Sequence, residues 1–159
     1  MDGGWQAWQS SAGAVEAGTR QATSACFSGE TRSGWLVVID EVTASALLVD
    51  SRDGARYRGE VELIDPLAGH IPGAINRCWQ ENISETGYFL ASEQLRRQFI
   101  GIYGDIAASE VVFYCGSGVT ACHNLLAVAH AGLPPARLYA GSWSEWCTSP
   151  GRLVEMSSN

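Results

Sequence analysis

The sequence predicts an α/β fold in which parallel strands alternate with helices. Its apolar runs are short and continuous rather than alternating, which suits strands buried at the centre of a parallel sheet. Segments with helical periodicity separate these runs, as in βαβ units. The chain has 159 residues, of which 46% are hydrophobic and 17% charged. That length and composition predict one domain with a buried core, or one such domain with a tail.

Five apolar segments are predicted to be strands. They are residues 36–39, 46–49, 74–76, 111–114 and 137–140. After the second of these segments, residues 53–58 predict a short helical turn. Residues 59–73 predict a loop, because Gly and Pro recur there.

Two longer helices are predicted in the second half of the chain. Ser92 is the expected N-cap of the first helix, and Gly104 closes it. The second helix covers residues 119–131 and stops at Gly132. Its buried side is predicted to consist of four apolar residues, Leu125, Leu126, Val128 and Ala129.

The packed domain is predicted to span residues 35–159. Residues 9–34 are rich in Ser, Ala, Gly and Thr and show no convincing period. The motif Gly-x-Trp-x-x-Trp occurs twice, at residues 3–8 and 141–146. We interpret each copy as the end of a domain. Residues 1–34 are therefore predicted to be the last helix of a preceding domain followed by a linker.

Composition excludes several classes of protein. The net charge is −7 and all ten basic residues are arginine, so the chain has no Schiff-base or phosphate-loop lysine. Such an acidic chain is a poor binder of nucleic acid or anionic membrane, and it has no apolar run long enough to span a bilayer. The five cysteines are odd in number and include no Cys-x-x-Cys pair, so we expect neither a disulfide framework nor a metal site. We also expect no cofactor. We expect a reducing compartment, the cytoplasm.

The segment from Cys115 to Thr120 is the main candidate for chemistry. It reads Cys-Gly-Ser-Gly-Val-Thr between a predicted strand and a predicted helix. Small residues let the backbone N–H groups converge on an anion, and the helix dipole adds to their effect. A cysteine there is favoured as a nucleophilic thiolate, whereas the alternative is an ordinary buried cysteine. A cysteine phosphatase would need arginine six residues later, where Ala121 stands. Sulfur transfer through a persulfide needs no such arginine.

Four motifs together resemble the rhodanese family. They are Val-Asp-Ser-Arg at residues 49–52, Gly-His-Ile-Pro-Gly-Ala-Ile-Asn at 69–76, the Cys115 loop, and Gly-Ser-Trp-Ser-Glu-Trp at 141–146. The chain is similar in particular to the C-terminal, catalytic half of two-domain sulfurtransferases. The resemblance implies an α/β domain with a parallel sheet of about five strands and helices on both faces.

The resemblance also implies an activity and a set of site residues. Cys115 would take sulfur from 3-mercaptopyruvate and pass it to a thiol, cyanide or thioredoxin-like acceptor. Arg56 would bind the anionic end of the donor together with the loop residues, which are Gly116, Ser117, Gly118, Val119 and Thr120. The alternatives are thiosulfate as the donor, or a non-enzymatic persulfide carrier. The partner set would include a missing N-terminal rhodanese domain.

Some residues depart from the family pattern or are expected to be structural. Mercaptopyruvate enzymes of the family carry a second arginine shortly before Gly-His, but residues 62–67 contain none, which leaves the donor open. His70 is predicted to be structural. Asp50 and Arg52 are predicted to order the loops around the site. The tryptophans of residues 141–146 are predicted to pack at its rim.

Overall fold

Five short parallel strands form the sheet in the computed structural model, which describes residues 1–30 and 33–157. The strands are β1 (Leu36–Val37), β2 (Leu47–Asp50), β3 (Ile75–Asn76), β4 (Val111–Tyr114) and β5 (Arg137–Tyr139). Their order across the sheet is β1-β5-β4-β2-β3, and every pairing is parallel. β4 is buried along its whole length. This agrees with the expectation that continuous apolar runs belong to inner parallel strands.

Helices lie on both faces of the sheet. The described residues form α1 (Gly4–Ser10), α2 (Gly54–Arg58), α3 (Ser92–Tyr103), α4 (Val119–His130) and α5 (Ser142–Trp146), with 3-10 turns at Val42–Ala44, Trp79–Asn82 and Ala108–Glu110. On one face, Phe99 of α3 and Val128 of α4 pack with Phe113 of β4. On the other face, Trp143 of α5 packs with Tyr114. The predicted α/β fold with about five parallel strands is confirmed.

The predicted elements differ from the observed ones at three kinds of position. The first, third and last strands are shorter than predicted, and the second begins and ends one residue later than predicted. Ser92 is the first helical residue rather than the N-cap, which is Ala91, and no side chain caps this end. The predicted buried side of α4 was wrong for Leu126, which is 58% exposed, and for Ala129, which is also exposed.

The composition of α4 explains why its buried side was predicted incorrectly. Its buried residues are Ala121, Asn124, Ala127 and Val128, which share one face at helical spacing. This helix is apolar on several sides, so hydrophobicity alone did not indicate which side faces the sheet. None of the helices in the described part of the chain is long and apolar enough to span a lipid bilayer.

The parallel sheet determines where the loops meet. Because all strands run the same way, the segments that follow β2, β4 and β5 emerge at one edge. Ligands in open α/β sheets bind at this edge, beyond the carboxyl ends of the strands. Cys115 directly follows β4 there.

Candidate active site

The backbone of Cys115 is fixed from both sides by α5. Its N–H donates to the hydroxyl oxygen of Ser142 at 3.1 Å, and its carbonyl oxygen accepts from the N–H of Trp143 at 2.9 Å. The residue is 2% exposed. Hydrogen bonds of this kind hold the cysteine in one place between the sheet and the cleft.

The loop after Cys115 requires glycine at position 118. Gly118 has a φ of +83°, and a Cβ there would lie 2.8 Å from the carbonyl oxygen of Ala140. Tight backbone curvature therefore depends on the missing side chain. The backbone N–H groups of residues 116–120 donate to no acceptor within the described residues. Together with the N-terminus of α4, these groups form a nest for an anion.

Arg56 lies beside this nest. It belongs to α2, a short helix whose N-cap residue Asp53 accepts a hydrogen bond from the N–H of Ala55 at 2.8 Å. The Nη1 atom of Arg56 is 3.5 Å from the position that a Cβ on Gly116 would occupy. The arginine side chain is 21% exposed. Its guanidinium is therefore placed next to the loop and open to the cleft.

Two carboxylates orient the Arg56 guanidinium. Glu62 accepts from Nη2 at 2.7 Å and from Nε at 3.2 Å, and Asp65 accepts from Nη2 at 3.1 Å. Burial opposes ionisation of Glu62, but hydrogen bonds from Arg56 and from the backbone N–H groups of Asp65 and Ile64 outweigh it. The net result is a lowered pKa for Glu62. Glu62 thus stays anionic and holds Arg56 in a bidentate geometry.

Arg52 ties the long loop of residues 59–73 to the sheet. Its Nη2 lies 2.6 Å from a carboxylate oxygen of Asp50 and donates to the carbonyl oxygen of Gly69 at 2.7 Å. Its guanidinium lies over the Trp143 ring, 4.8 Å from the centroid. Burial lowers the pKa of Arg52, but the ion pair with Asp50 more than compensates and the pKa is raised. These contacts agree with the predicted role of Asp50 and Arg52 in ordering the loops.

These segments enclose a cleft of about 260 Å³. Of the residues predicted from the sequence, those that line it are Arg56, Cys115, Gly116, Ser117, Val119 and Thr120. Gly118 does not line it, and its part is the backbone curvature described above.

Six further residues line the same cleft. They are Arg52, Asp53, Ile64, Asp65, Trp79 and Ser144. Ser144 and Arg52 belong to segments that follow β5 and β2, so the rule that ligands bind beyond strand ends could have indicated them. Asp65 lies in an irregular loop, and nothing in the local sequence places that loop against the cysteine.

The histidine and the two tryptophans considered from the sequence are buried and make structural contacts. His70 is 1% exposed, its Nδ1 lies 2.7 Å from the carbonyl oxygen of Tyr57, and its ring stacks on Tyr57. Trp143 and Trp146 are buried, and their indole N–H groups donate to backbone carbonyl oxygens. None of the three lines the cleft.

A parallel sheet whose central strand β4 ends directly before a cysteine and a glycine-containing loop defines an α/β domain with a cysteine at the carboxyl edge of the sheet. The profile of the rhodanese-like domain matches residues 38–149. The chain therefore belongs to the rhodanese-like domain family.

Curated relatives match nearly the whole chain. It is 45% identical to a "Probable 3-mercaptopyruvate sulfurtransferase" of Pseudomonas aeruginosa, over 97% of this chain and 56% of the relative. It is 33% identical to the 3-mercaptopyruvate sulfurtransferase of Escherichia coli K12, over 92% of this chain and 54% of the relative. It is 32% identical to the thiosulfate sulfurtransferase of Gallus gallus, over 92% and 52%. The chain thus spans about half the length of the curated relatives it matches.

A solved structure supports the fold. An anaerobic ergothioneine biosynthesis enzyme from Chlorobium limicola superposes with a TM-score of 0.86, covering 100% of this chain and 41% of that chain. The sequence identity is 24%, so this likeness concerns the architecture alone.

Proposed function

We propose that this chain carries the catalytic cysteine of a sulfurtransferase that moves sulfur from 3-mercaptopyruvate to a thiol or cyanide. The observation that carries the proposal is the position of Cys115 beside unpaired backbone N–H groups and Arg56 in one cleft. The names of the Pseudomonas and Escherichia relatives support the choice of donor.

In the first half-reaction the Cys115 thiolate attacks the sulfur of mercaptopyruvate. The new S–S bond forms as the C–S bond of the donor breaks, and the electron pair passes to carbon as the enolate of pyruvate. The thiol proton of the donor or a solvent proton completes pyruvate. Arg56 binds the carboxylate of the donor through Nη1, because Glu62 and Asp65 already occupy Nε and Nη2.

In the second half-reaction an acceptor thiolate or cyanide attacks the outer sulfur of the Cys115 persulfide. That step regenerates the cysteine thiolate and releases a persulfide or thiocyanate. The N–H groups of residues 116–120 have no acceptor within the described residues, and in this proposal they stabilise the negative charge of the outer sulfur. Ser117 is exposed at the same place and supplies a hydroxyl group to donor or leaving group.

The donor is tested by direct comparison. The purified chain is incubated with mercaptopyruvate or with thiosulfate, each with cyanide, and pyruvate and thiocyanate are measured beside a Cys115→Ser control. We expect turnover that requires Cys115 and prefers mercaptopyruvate, with a Cys115 peptide heavier by one sulfur atom. A preference for thiosulfate would show that thiosulfate, and not mercaptopyruvate, is the sulfur donor. A persulfide without turnover would favour a carrier, and no reaction at Cys115 would refute the proposal.

The segment before the family match is proposed to be the end of a preceding rhodanese domain and a linker, covering residues 1–34. The exposure of its tryptophans supports this. Trp5 and Trp8 in α1 are 55% and 37% exposed, whereas Trp143 and Trp146 of the second motif copy are 0% and 2% exposed. The first copy therefore presents a face that the second copy buries against its own sheet.

The proposed partners follow from the same comparison. A first rhodanese domain would cover α1 and complete the cleft, and a thiol or thioredoxin-like protein would accept the sulfur. We assign the chain to the cytoplasm because all five cysteines, which lie in the described residues, are free thiols.

A further inference from the structure

The arginines of the cleft are outnumbered by the carboxylates that contact them. Arg52 and Arg56 both line the cleft. The side chains of Asp50, Glu62 and Asp65 form ion pairs with them and are 0%, 4% and 6% exposed. Side-chain charge in this part of the protein is therefore negative in sum. The attraction for an anionic donor comes from backbone N–H groups and from one edge of Arg56.

Asp65 is the carboxylate of this group that also lines the cleft. One of its oxygens accepts from Nη2 of Arg56 at 3.1 Å, and the other accepts from the hydroxyl of Ser144 at 2.6 Å. The backbone N–H of Ser144 donates to the carbonyl oxygen of Gly116 at 2.9 Å. These bonds hold the negative charge of Asp65 beside the cysteine loop at a fixed distance.

We propose that Asp65 is a specificity-determining residue that makes the Cys115 cleft select singly charged sulfur donors over dianionic ones. This inference rests on the proposed function and adds a mechanism of selection to it. Mercaptopyruvate carries one carboxylate, which the free edge of Arg56 and the loop N–H groups can balance. Thiosulfate carries two negative charges, and the second meets the charge of Asp65. Among the described residues that line the cleft, the other arginine, Arg52, is already engaged by Asp50 and by the carbonyl oxygen of Gly69.

The low exposure of Asp65 makes this repulsion effective. Solvent screens charges at a protein surface, but it screens a buried pair much less. A dianion gains twice the attraction from a cation and suffers twice the repulsion from an anion. Removing one fixed negative charge should thus help thiosulfate more than mercaptopyruvate.

The variant Asp65→Asn tests the charge while keeping size and an acceptor for Ser144. We expect the ratio of kcat/KM for thiosulfate to that for mercaptopyruvate to rise by about tenfold. Asp53→Asn removes a carboxylate that lines the same cleft but is solvent-exposed, and asparagine preserves its cap on α2. We expect that control to shift the ratio by less than about threefold, because water screens its charge.

Ser144→Ala separates charge from positioning. It removes the hydrogen bond to Asp65 and leaves the carboxylate in place. We expect it to change kcat/KM for both donors in the same proportion and so leave their ratio unchanged. An equal rise of the ratio in Ser144→Ala and Asp65→Asn would show that geometry, not charge, sets the preference.

A measurement that requires no turnover distinguishes failure of this inference from failure of the proposed function. Alkylation of Cys115 by neutral iodoacetamide is followed by peptide mass spectrometry at constant ionic strength, with sulfate as the dianionic probe and pyruvate as the monoanionic one. In the unsubstituted chain pyruvate should protect Cys115 at lower concentration than sulfate. In Asp65→Asn the protecting concentration of sulfate should fall by about tenfold. Equal protection by sulfate before and after the substitution would overturn the inference, whether or not the chain turns over a donor.

Discussion

Ser142 supports the backbone of Cys115 from an unusual conformation. Its hydroxyl oxygen accepts from the N–H of Cys115 at 3.1 Å, and its hydroxyl donates to the carbonyl oxygen of Tyr139 at 2.9 Å. Ser142 is fully buried and has a φ of 55°, which costs a residue with a Cβ about 1–3 kcal/mol. The two hydrogen bonds offset that strain and join β5 to the cysteine loop.

Ser142→Ala is therefore expected to destabilise the chain by about 1–3 kcal/mol, because it leaves the buried N–H of Cys115 without an acceptor. Urea unfolding measures the change. Ser142→Gly loses the same hydrogen bonds but relieves the φ strain, so it should be less destabilising than Ser142→Ala. Ser109→Ala, at an exposed position, is the control and should change stability by less than about 0.5 kcal/mol. Equal stability of Ser142→Ala and the control would contradict this role.

Gly118→Ala is expected to reduce sulfur transfer and to lower stability by about 1–3 kcal/mol. The added Cβ would lie 2.8 Å from the carbonyl oxygen of Ala140, which is backbone and cannot rotate away. Gly101→Ala is the matched control, since Gly101 lies within α3 with open space around its Cα. That substitution should stabilise by about 0.5–1 kcal/mol through helix propensity. Thermal unfolding and the pyruvate assay are applied to both variants. Similar effects of the two substitutions would contradict the role given to Gly118.

Arg56→Lys is expected to lower kcat/KM for either donor by about 10- to 100-fold. A lysine ammonium cannot reproduce the bidentate bonds to Glu62 and also present a planar edge to a carboxylate. Arg58→Lys is the matched control, because Arg58 pairs with Glu60 at the surface. Steady-state kinetics should show little change in that variant. Similar losses in both variants would mean that Arg56 has no special part in binding.

The lowered pKa of Glu62 predicts a dependence of stability on acidity. The folded-state pKa lies below the ordinary value of 4.5, so ionised Glu62 contributes stability that is fully present above that value. This contribution is lost as the pH falls through the lowered pKa. In Glu62→Gln the loss of stability between neutral pH and the acid range should be smaller than in the unsubstituted chain. Exposed Glu85→Gln should retain the full acid loss, and an identical profile for the two variants would refute the assignment.

The two copies of the tryptophan motif should respond differently to truncation. Trp143→Ala removes a fully buried ring and should cost about 3–5 kcal/mol. Trp5→Ala removes a ring that is 55% exposed, and it should cost less than about 0.5 kcal/mol in this chain. Denaturant unfolding measures the free energy of unfolding of the two variants. A large loss in Trp5→Ala would show that α1 packs on the domain itself, against the proposal that it belongs to a preceding one.

Local sequence patterns were sufficient to predict those elements whose residue types favour a single secondary structure. The apolar run before Cys115 predicted β4 with its observed bounds, because residues 111–114 are all β-branched or aromatic and the run is too short for a buried helix. The face of α4 could not be predicted, because Leu126 and Val128 are equally apolar and only the sheet distinguishes them. Asp65 was missed because its bond to Ser144 joins positions 79 residues apart. Such contacts depend on how the loop folds back, which spacing along the chain does not encode.

The ion pair and hydrogen bond made by Arg52 order one wall of the cleft in the absence of a ligand. The loop of residues 59–73 has no helix or strand, yet Arg52 fastens it to Asp50 and to the carbonyl oxygen of Gly69 from beneath. The wall that carries Glu62 and Asp65 is thus ordered before any ligand arrives. Binding of a ligand in this cleft should therefore cost little conformational entropy of the chain, and more of the interaction energy is available to hold the ligand.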